Sequence, residues 1–375
     1  MVDEVLTVVV IGRNDGLLLG KCLASIRRAA ERMEMEGHAA PRVIYVDGQS
    51  VDGSPELARQ HCIEVYLVDG PPTAAAGRHC GFERCSSRYV FFVDGDCEVH
   101  EGWLGEAVRY LDTHPEPAGV GGLLAWRGVG SAEADGAPNY WGTKRDDEIV
   151  RDGVGGCFVY RTKVLRRTGD FDPTVPCGEE FELCLRLAAA GHYLVRIDRP
   201  MATHWDAKSC SLWTFASRHL ISRRALVPGV IAAQAPRRSD VWRLLWHHHY
   251  PCFVHPIVGY PSILLLAWGL LARAWLPIIA GAAGLTLLSA AHLVYKRYQV
   301  TRAAFSLVTM TFFSTAFWIG FLTRRPTVGG YYRGKAAADI VPSRPGATAQ
   351  PNEAAVSHEP QGPGAGEQES GAPTC

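Results

Sequence analysis

Tyr89-Val90-Phe91-Phe92-Val93-Asp94-Gly95-Asp96 is the stretch that decides how this chain folds. Five apolar residues in a row, all β-branched or aromatic, fit a strand buried on both faces. Two acids then emerge with one glycine between them. Carboxylates so close repel each other unless a cation sits beside them. Hard oxygen ligands suit Mg2+ or Mn2+ bridging a diphosphate. A lone D-x-D also turns up on solvated loops. At the end of a buried strand it points to a site, because open α/β sheets bind ligands beyond the carboxyl ends of their strands.

Further strand-like runs occupy residues 6–11, 42–46 and 63–68, and the second ends at Asp47-Gly48. Helical spacing fills the gaps: Leu18, Cys22, Ile26, Ala29 and Met33 share one face within 17–36. Residues 52–60 read as a helix with Asp52 or Ser54 near its cap, and 73–85 as another. The alternation predicts an α/β fold, an open and mostly parallel sheet with helices on both faces. Three acids, Asp47, Asp94 and Asp96, then fall on one sheet edge, although Asp47-Gly48 alone is also a turn former. Beyond lie expected strands at 120–126, 155–160 and 193–197 and a helix at 179–190. Residues 131–151, with Trp141, read as an active-site loop. Residues 213–226 and 241–250 read as short helices rich in Trp, Arg and His, suited to a membrane interface or to covering the sheet.

The 375 residues carry zero formal net charge, which argues against nucleic acid as the main partner. Eleven cysteines include no C-x-x-C pair, so neither a zinc site nor a disulfide framework is expected, and a reducing compartment is. The first strand-like run lacks a basic segment before it and a cleavage site after it, so the catalytic part is expected in the cytosol. Apolar segments at 253–272, 274–295 and 303–322 each approach the roughly 20 residues a spanning helix needs. Lys296, Arg297 and Arg302 between the last two fit a cytosolic loop, but Arg324, Arg325, Arg333 and Lys335 fit an external tail poorly. A membrane-integral chain is expected, with its helix count open. The Pro-, Gly- and Glu-rich tail is expected to be disordered after about 342.

An ordered set of motifs gives the chain a family resemblance. Val8-Val9-Val10-Ile11-Gly12-Arg13-Asn14-Asp15 resembles the first strand and loop of family 2 glycosyltransferases of the GT-A fold. Val46-Asp47-Gly48-Gln49-Ser50-Val51-Asp52-Gly53-Ser54 resembles that family's nucleotide-binding turn, and Gly77-Arg78-His79-Cys80-Gly81 an A-R-N-x-G segment. Asp94-Gly95-Asp96 matches the D-x-D. Gly169-Asp170-Phe171-Asp172 and Gly178-Glu179-Glu180-Phe181-Glu182-Leu183 are similar to G-x-F-D and G-E-D-x-E-L. The resemblance implies a nucleotide-sugar site built from Asn14, Asp15, Asp47, Ser50, Arg78 and Asp94. Asp47 is implied at the nucleobase or ribose, and Arg78 at the diphosphate. Asp94, Asp96 and His204 are implied to hold Mn2+ or Mg2+, with His204 alternatively a histidine packed beside Trp205. Glu180 stands where the family has a catalytic aspartate, and the longer side chain leaves the base open between Glu179 and Glu180. His79 replaces the usual Asn. No Q-x-x-R-W segment follows; Arg218-His219-Leu220-Ile221-Ser222-Arg223-Arg224 stands in that region, which favours addition of one sugar per encounter.

The expected layout is a GT-A catalytic domain at 1–207, interfacial helices at 208–252, transmembrane helices at 253–323 and a tail at 324–375. The expected function is inverting sugar transfer from a nucleotide-diphosphate donor to a membrane-associated acceptor, a polyprenyl-linked glycan or lipid, at the inner face of the cell membrane. A nucleotidyltransferase and an inactive membrane scaffold are the rivals. The first would want a glycine-rich phosphate loop that residues 12–16 do not supply.

Overall fold

The computed structural model describes residues 4–61, 63–128, 139–141, 148–150, 156–206, 224–235, 239–295 and 300–323. The expected loop at 131–151, the helix at 213–226 with Arg218 and Arg223, and the tail lie wholly or largely outside the described residues.

Strand β1 (Leu6–Gly12) is the centre of the sheet's first half and is buried along nearly its whole length. It pairs in parallel with β2 (Arg42–Asp47) and β4 (Tyr89–Asp94), and β2 pairs in parallel with β3 (Glu64–Leu67). Because side chains alternate across a strand, β1 feeds two cores. Val8 and Val10 pack with α1 (Leu17–Met35) and α4 (Trp103–Thr113); Val9 and Ile11 face α3 (Ala74–Phe82) and α6 (Glu179–Ala189). Helix α2 (Ser54–Gln60) joins β2 to β3.

The second half of the sheet corrects the expectation of mostly parallel strands. Neighbouring strands run in the order β3-β2-β1-β4-β9-β6-β10-β5. Here β5 is Cys97–Val99, β6 Gly119–Gly128, β9 Phe158–Arg161 and β10 Leu194–Asp206. Strand β9 is antiparallel to both β4 and β6, and β5 is antiparallel to β10. Two short strands, β7 (Asn139–Trp141) and β8 (Glu148–Val150), pair with β6 and β10. Strand β9 leads directly into α5 (Thr162–Thr168). Strand β10 runs well past its expected end at 197 and breaks register around Pro200, the kind of irregularity that admits a proline in a sheet. Its first part pairs with β8 and its last with β5, so His204 lies opposite Cys97 on one side and Trp126 on the other.

The helices after the sheet are α7 (Val227–Gln234), α8 (Ser239–Ala272), α9 (Trp275–Tyr295) and α10 (Val300–Thr323). The short helix expected at 241–250 is instead the first part of the 34-residue α8, continuous with the apolar stretch after it. Val227, Ile231, Leu245, Cys252 and Phe317 join the core on the α3–α6 side, so these helices dock on that face of the sheet layer. Among the described residues one helical segment, Cys252–Ala272, is long and apolar enough to cross a membrane, with mean hydropathy 1.6. Trp275–Ala291 and Thr311–Thr323 are shorter apolar stretches, so three full spans are not all supported.

Candidate active site

The carboxyl ends of β1, β2 and β4 open into one cleft of about 200 Å³. Ile11, Gly12, Arg13 and Asp15 form one wall, Val68, Pro72, Thr73 and Ala74 another, and Asp94, Gly95 and Asp96 lie at its base. A side chain on Gly12 or Gly95 would meet the carboxylate of Asp15, so both glycines let that acid reach the cleft.

The loops around the cleft are fastened to one another. Asn14, in the left-handed region at φ 57°, donates its backbone N–H to Ser50 Oγ at 2.9 Å. Its Oδ1 accepts from Val51 N, also at 2.9 Å. Asn tolerates this backbone region better than most residues. Asp52 accepts from the Gly16 N–H, and Gln49 donates to the carbonyls of Val68 and Gly70. Asp47 has no exposed surface: Tyr45 Oη donates to its carboxylate at 3.0 Å and Ser50 N at 2.7 Å. Asn14, Asp47 and Ser50 thus fasten the loops to one another, whereas Asp15 and Asp94 line the cleft. Each carboxylate oxygen of Asp47 accepts one bond from its own strand or the following turn.

Arg78 is the hub of a second network. It sits in the middle of α3 with a side chain only 2% exposed. Its guanidinium donates to Asp94 Oδ1 at 2.8 Å and Glu179 Oε1 at 2.5 Å, and lies 3.3 Å from Glu180 Oε1. Phe171 lies against the guanidinium, its centroid 5.3 Å away. The cation expected to neutralise a diphosphate is committed to three carboxylates, and that buried bridge is what gathers Asp94, Glu179 and Glu180 into one cluster. Helix α6 begins at Glu179 after Gly178, whose φ of 73° makes the sharp entry, so both glutamates occupy its first turn.

Three acids around one arginine leave excess negative charge. Burial, and then Glu179, raise the Glu180 pKa against the pull of Arg78, to about 7. Burial also raises Asp94, to about 6, with Arg78 opposing and Asp96 adding to the rise. The Glu180 side chain is 20% exposed and that of Glu179 7%, so Glu180 is the more open of the pair and the more loosely held.

Asp96 points the other way. Its Oδ2 is 3.4 Å from His204 Nε2, and the ring of His204 lies 4.3 Å from that of Trp126. Asp96, Cys97 and His204 each present one ligand atom, all within 4.8 Å of one another, a spacing that fits a divalent cation. Asp94 is not in that set. Sequence reasoning missed Cys97 and Trp126. The signal for Cys97 was its place directly after the acids; for Trp126 it was the tryptophan at the end of an expected strand.

His79 anchors a second connection. Its Nδ1 lies 2.8 Å from Asp170, in the turn that presents Phe171 to Arg78. Burial alone would lower the His79 pKa, but the bond to Asp170 and its charge outweigh it and hold it raised.

Comparison with known proteins places this geometry. Residues 7–169 match the family described as glycosyl transferase family 2. Pre-mycofactocin glycosyltransferase of Mycobacterium tuberculosis is 26% identical over 248 residues, covering 62% of this chain and 48% of that protein. The chain therefore spans about half the length of that curated relative. Mannosyltransferase PcManGT from Pyrobaculum calidifontis, solved with GDP-Man and Mn2+, superposes with a TM-score of 0.51 at 17% identity over 86% of this chain and 88% of that one. S. aureus TarS with UDP-GlcNAc gives 0.50 at 13% identity, over 85% and 90%. These likenesses carry the fold, the α/β GT-A architecture.

Proposed function

We propose that the chain, whose residues 7–169 match glycosyl transferase family 2, transfers a sugar from a nucleotide-diphosphate donor to an acceptor hydroxyl with inversion. The observation that carries this reading is the cleft itself. It is lined by the loops after β1 and β2 together with Asp94 and Asp96. Arg78 ties Asp94 to the Glu179–Glu180 pair.

Each residue then has a task. Asp15 and the backbone of Gly12, Arg13 and Gly48 bound the nucleotide end, and Asn14, Asp47 and Ser50 keep those loops in place. Asp96 and His204 hold a divalent cation, Mn2+ or Mg2+, which stabilises the leaving diphosphate when bound. Glu180 accepts the proton of the attacking hydroxyl; its raised pKa places it close to neutrality, where a general base is most effective. Glu179 keeps Arg78 fixed, and Arg78 keeps the acids from driving one another apart.

We also place the acceptor at a membrane. Trp268, Leu271, Trp275 and Leu276 are largely exposed around the α8–α9 turn, an apolar surface that a bilayer would cover. In this reading the described residues up to 206 form the catalytic unit, and Cys252–Ala272, the one described segment long and apolar enough to cross a membrane, anchors it with the sheet on the cytosolic side. A polyprenyl-linked or other lipid-borne acceptor suits that placement. Release of nucleoside diphosphate from UDP- and GDP-sugars, with Mn2+, tests the reading in wild type and Asp96→Ala. Activity present in the first and lost in the second supports it. Equal activity in both, or none in either, points to a scaffold that has kept the fold.

A further inference from the structure

The cation site has an unusual neighbour. Strand β5 starts with Cys97, directly after Asp96, and the antiparallel register with β10 sets Cys97 opposite His204. Directly opposed residues in such a pair send their side chains to the same face of the sheet. The thiol and imidazole therefore converge, and the Cys97 Sγ lies 3.7 Å from Asp96 Oδ1. All three donor atoms fall within 4.8 Å of one another. The backbone keeps the set together: Trp205 N donates to the Asp96 carbonyl at 3.0 Å, which fastens the turn after β4 to the end of β10.

Asp94, the other acid of the D-x-D, is drawn away. Its Oδ1 is bonded to Arg78 at 2.8 Å. An all-oxygen pair of aspartates, the donor set that Mg2+ prefers, is therefore not what these residues assemble. The set they do assemble is one carboxylate oxygen, one imidazole nitrogen and one sulfur. Mixed N, O and S donors favour first-row transition ions and other thiophilic cations over Mg2+.

We propose that Cys97 is a direct ligand of the cation held by Asp96 and His204, and that its sulfur favours Co2+ or Zn2+ over Mg2+. On binding, the thiol gives up its proton to solvent and a metal–sulfur bond forms, with no change of oxidation state. The inference rests on the reading of this site as the cation site of a sugar transferase, but its test does not depend on turnover.

The full chain in detergent is titrated with Co2+, and the near-ultraviolet absorption is followed for a thiolate-to-metal charge-transfer band. The band is expected in wild type, retained in Cys22→Ser and absent in Cys97→Ser. Co2+ affinity by calorimetry should fall in Cys97→Ser by at least the roughly tenfold that losing even an outer-shell partner costs. Mg2+ affinity should barely change. If Cys97→Ser folds poorly, Cys97→Ala carries the same test, with the band again expected to be lost. Co2+ binding that depends on Asp96 but gives no thiolate band overturns the role of Cys97 and leaves the sugar-transfer reading standing. A band that persists in Cys97→Ser does the same. No Co2+ binding at all overturns the proposal together with the cation site.

Discussion

Arg78 and Glu180 carry the account at the scale of single residues. A buried arginine paired with three carboxylates costs much to desolvate, and removing it leaves charges with no partner. Arg78→Met should therefore lower unfolding stability by about 3–5 kcal/mol in denaturant titration. Arg78→Lys should recover only part of that loss, because an ammonium cannot reproduce the guanidinium fork. Glu180 gives a pH signature. As a base it must be ionised, so kcat should rise as pH passes through about 7 and level off above it. Glu180→Gln should lower kcat by about 10²–10⁴-fold and remove that limb. The stability sign is opposite. A carboxyl whose pKa is raised in the folded state binds its proton more tightly there, so its contribution is full below the unfolded value and fades as pH rises through about 7. Urea midpoints across that window should fall less steeply in Glu180→Gln than in wild type.

At the scale of elements, the site depends on close approach between strands, helices and turns. Gly156, just before β9, lies so near the Asp94 carboxylate that a Cβ there would overlap it. Gly156→Ala should push Asp94 off Arg78, lower kcat/KM and cost about 1–3 kcal/mol in urea unfolding. Unchanged kinetics would mean that the Asp94–Arg78 bond does not matter to the reaction. The strands and helices up to β4 were legible in sequence because each is a short apolar run or an amphipathic repeat followed by turn residues. Helix α4 was legible too, with Trp103, Leu104, Ala107, Val108 and Leu111 on one face, yet it was overlooked. The reversal at β9 and the extension of β10 to His204 were not readable. They depend on pairing between distant strands and on a register break at Pro200, neither of which leaves a local periodic mark. The convergence of Asp94, Glu179 and Glu180 followed from their strand-end and helix-start positions. That Arg78 would be consumed by them, and Asp47 buried, could not be foreseen, because burial is a property of the packed layers.

The whole molecule joins an α/β sheet layer to an apolar helical layer. Helix α8 carries Pro251, Pro256 and Pro261. A proline cannot donate to the carbonyl one turn earlier, and Pro256 frees the carbonyl of Cys252. Trp318 Nε1 at 2.7 Å and Ser314 Oγ at 3.2 Å, both from α10, donate to it. A backbone group without water must find such partners in a membrane, so this cap suits a helix that leaves the aqueous phase at Cys252. The full chain should stay with membranes through alkaline carbonate washing and require detergent for release. Recovery in the carbonate supernatant would count against membrane insertion.

The most direct test of the central claim is calorimetric binding of UDP- and GDP-sugars to the full chain, with and without Mn2+, in wild type and Asp96→Ala. The account predicts that one nucleotide sugar binds only with Mn2+ and that Asp96→Ala weakens it by at least about tenfold, or 1.4 kcal/mol. Binding that ignores both the cation and the substitution would contradict it.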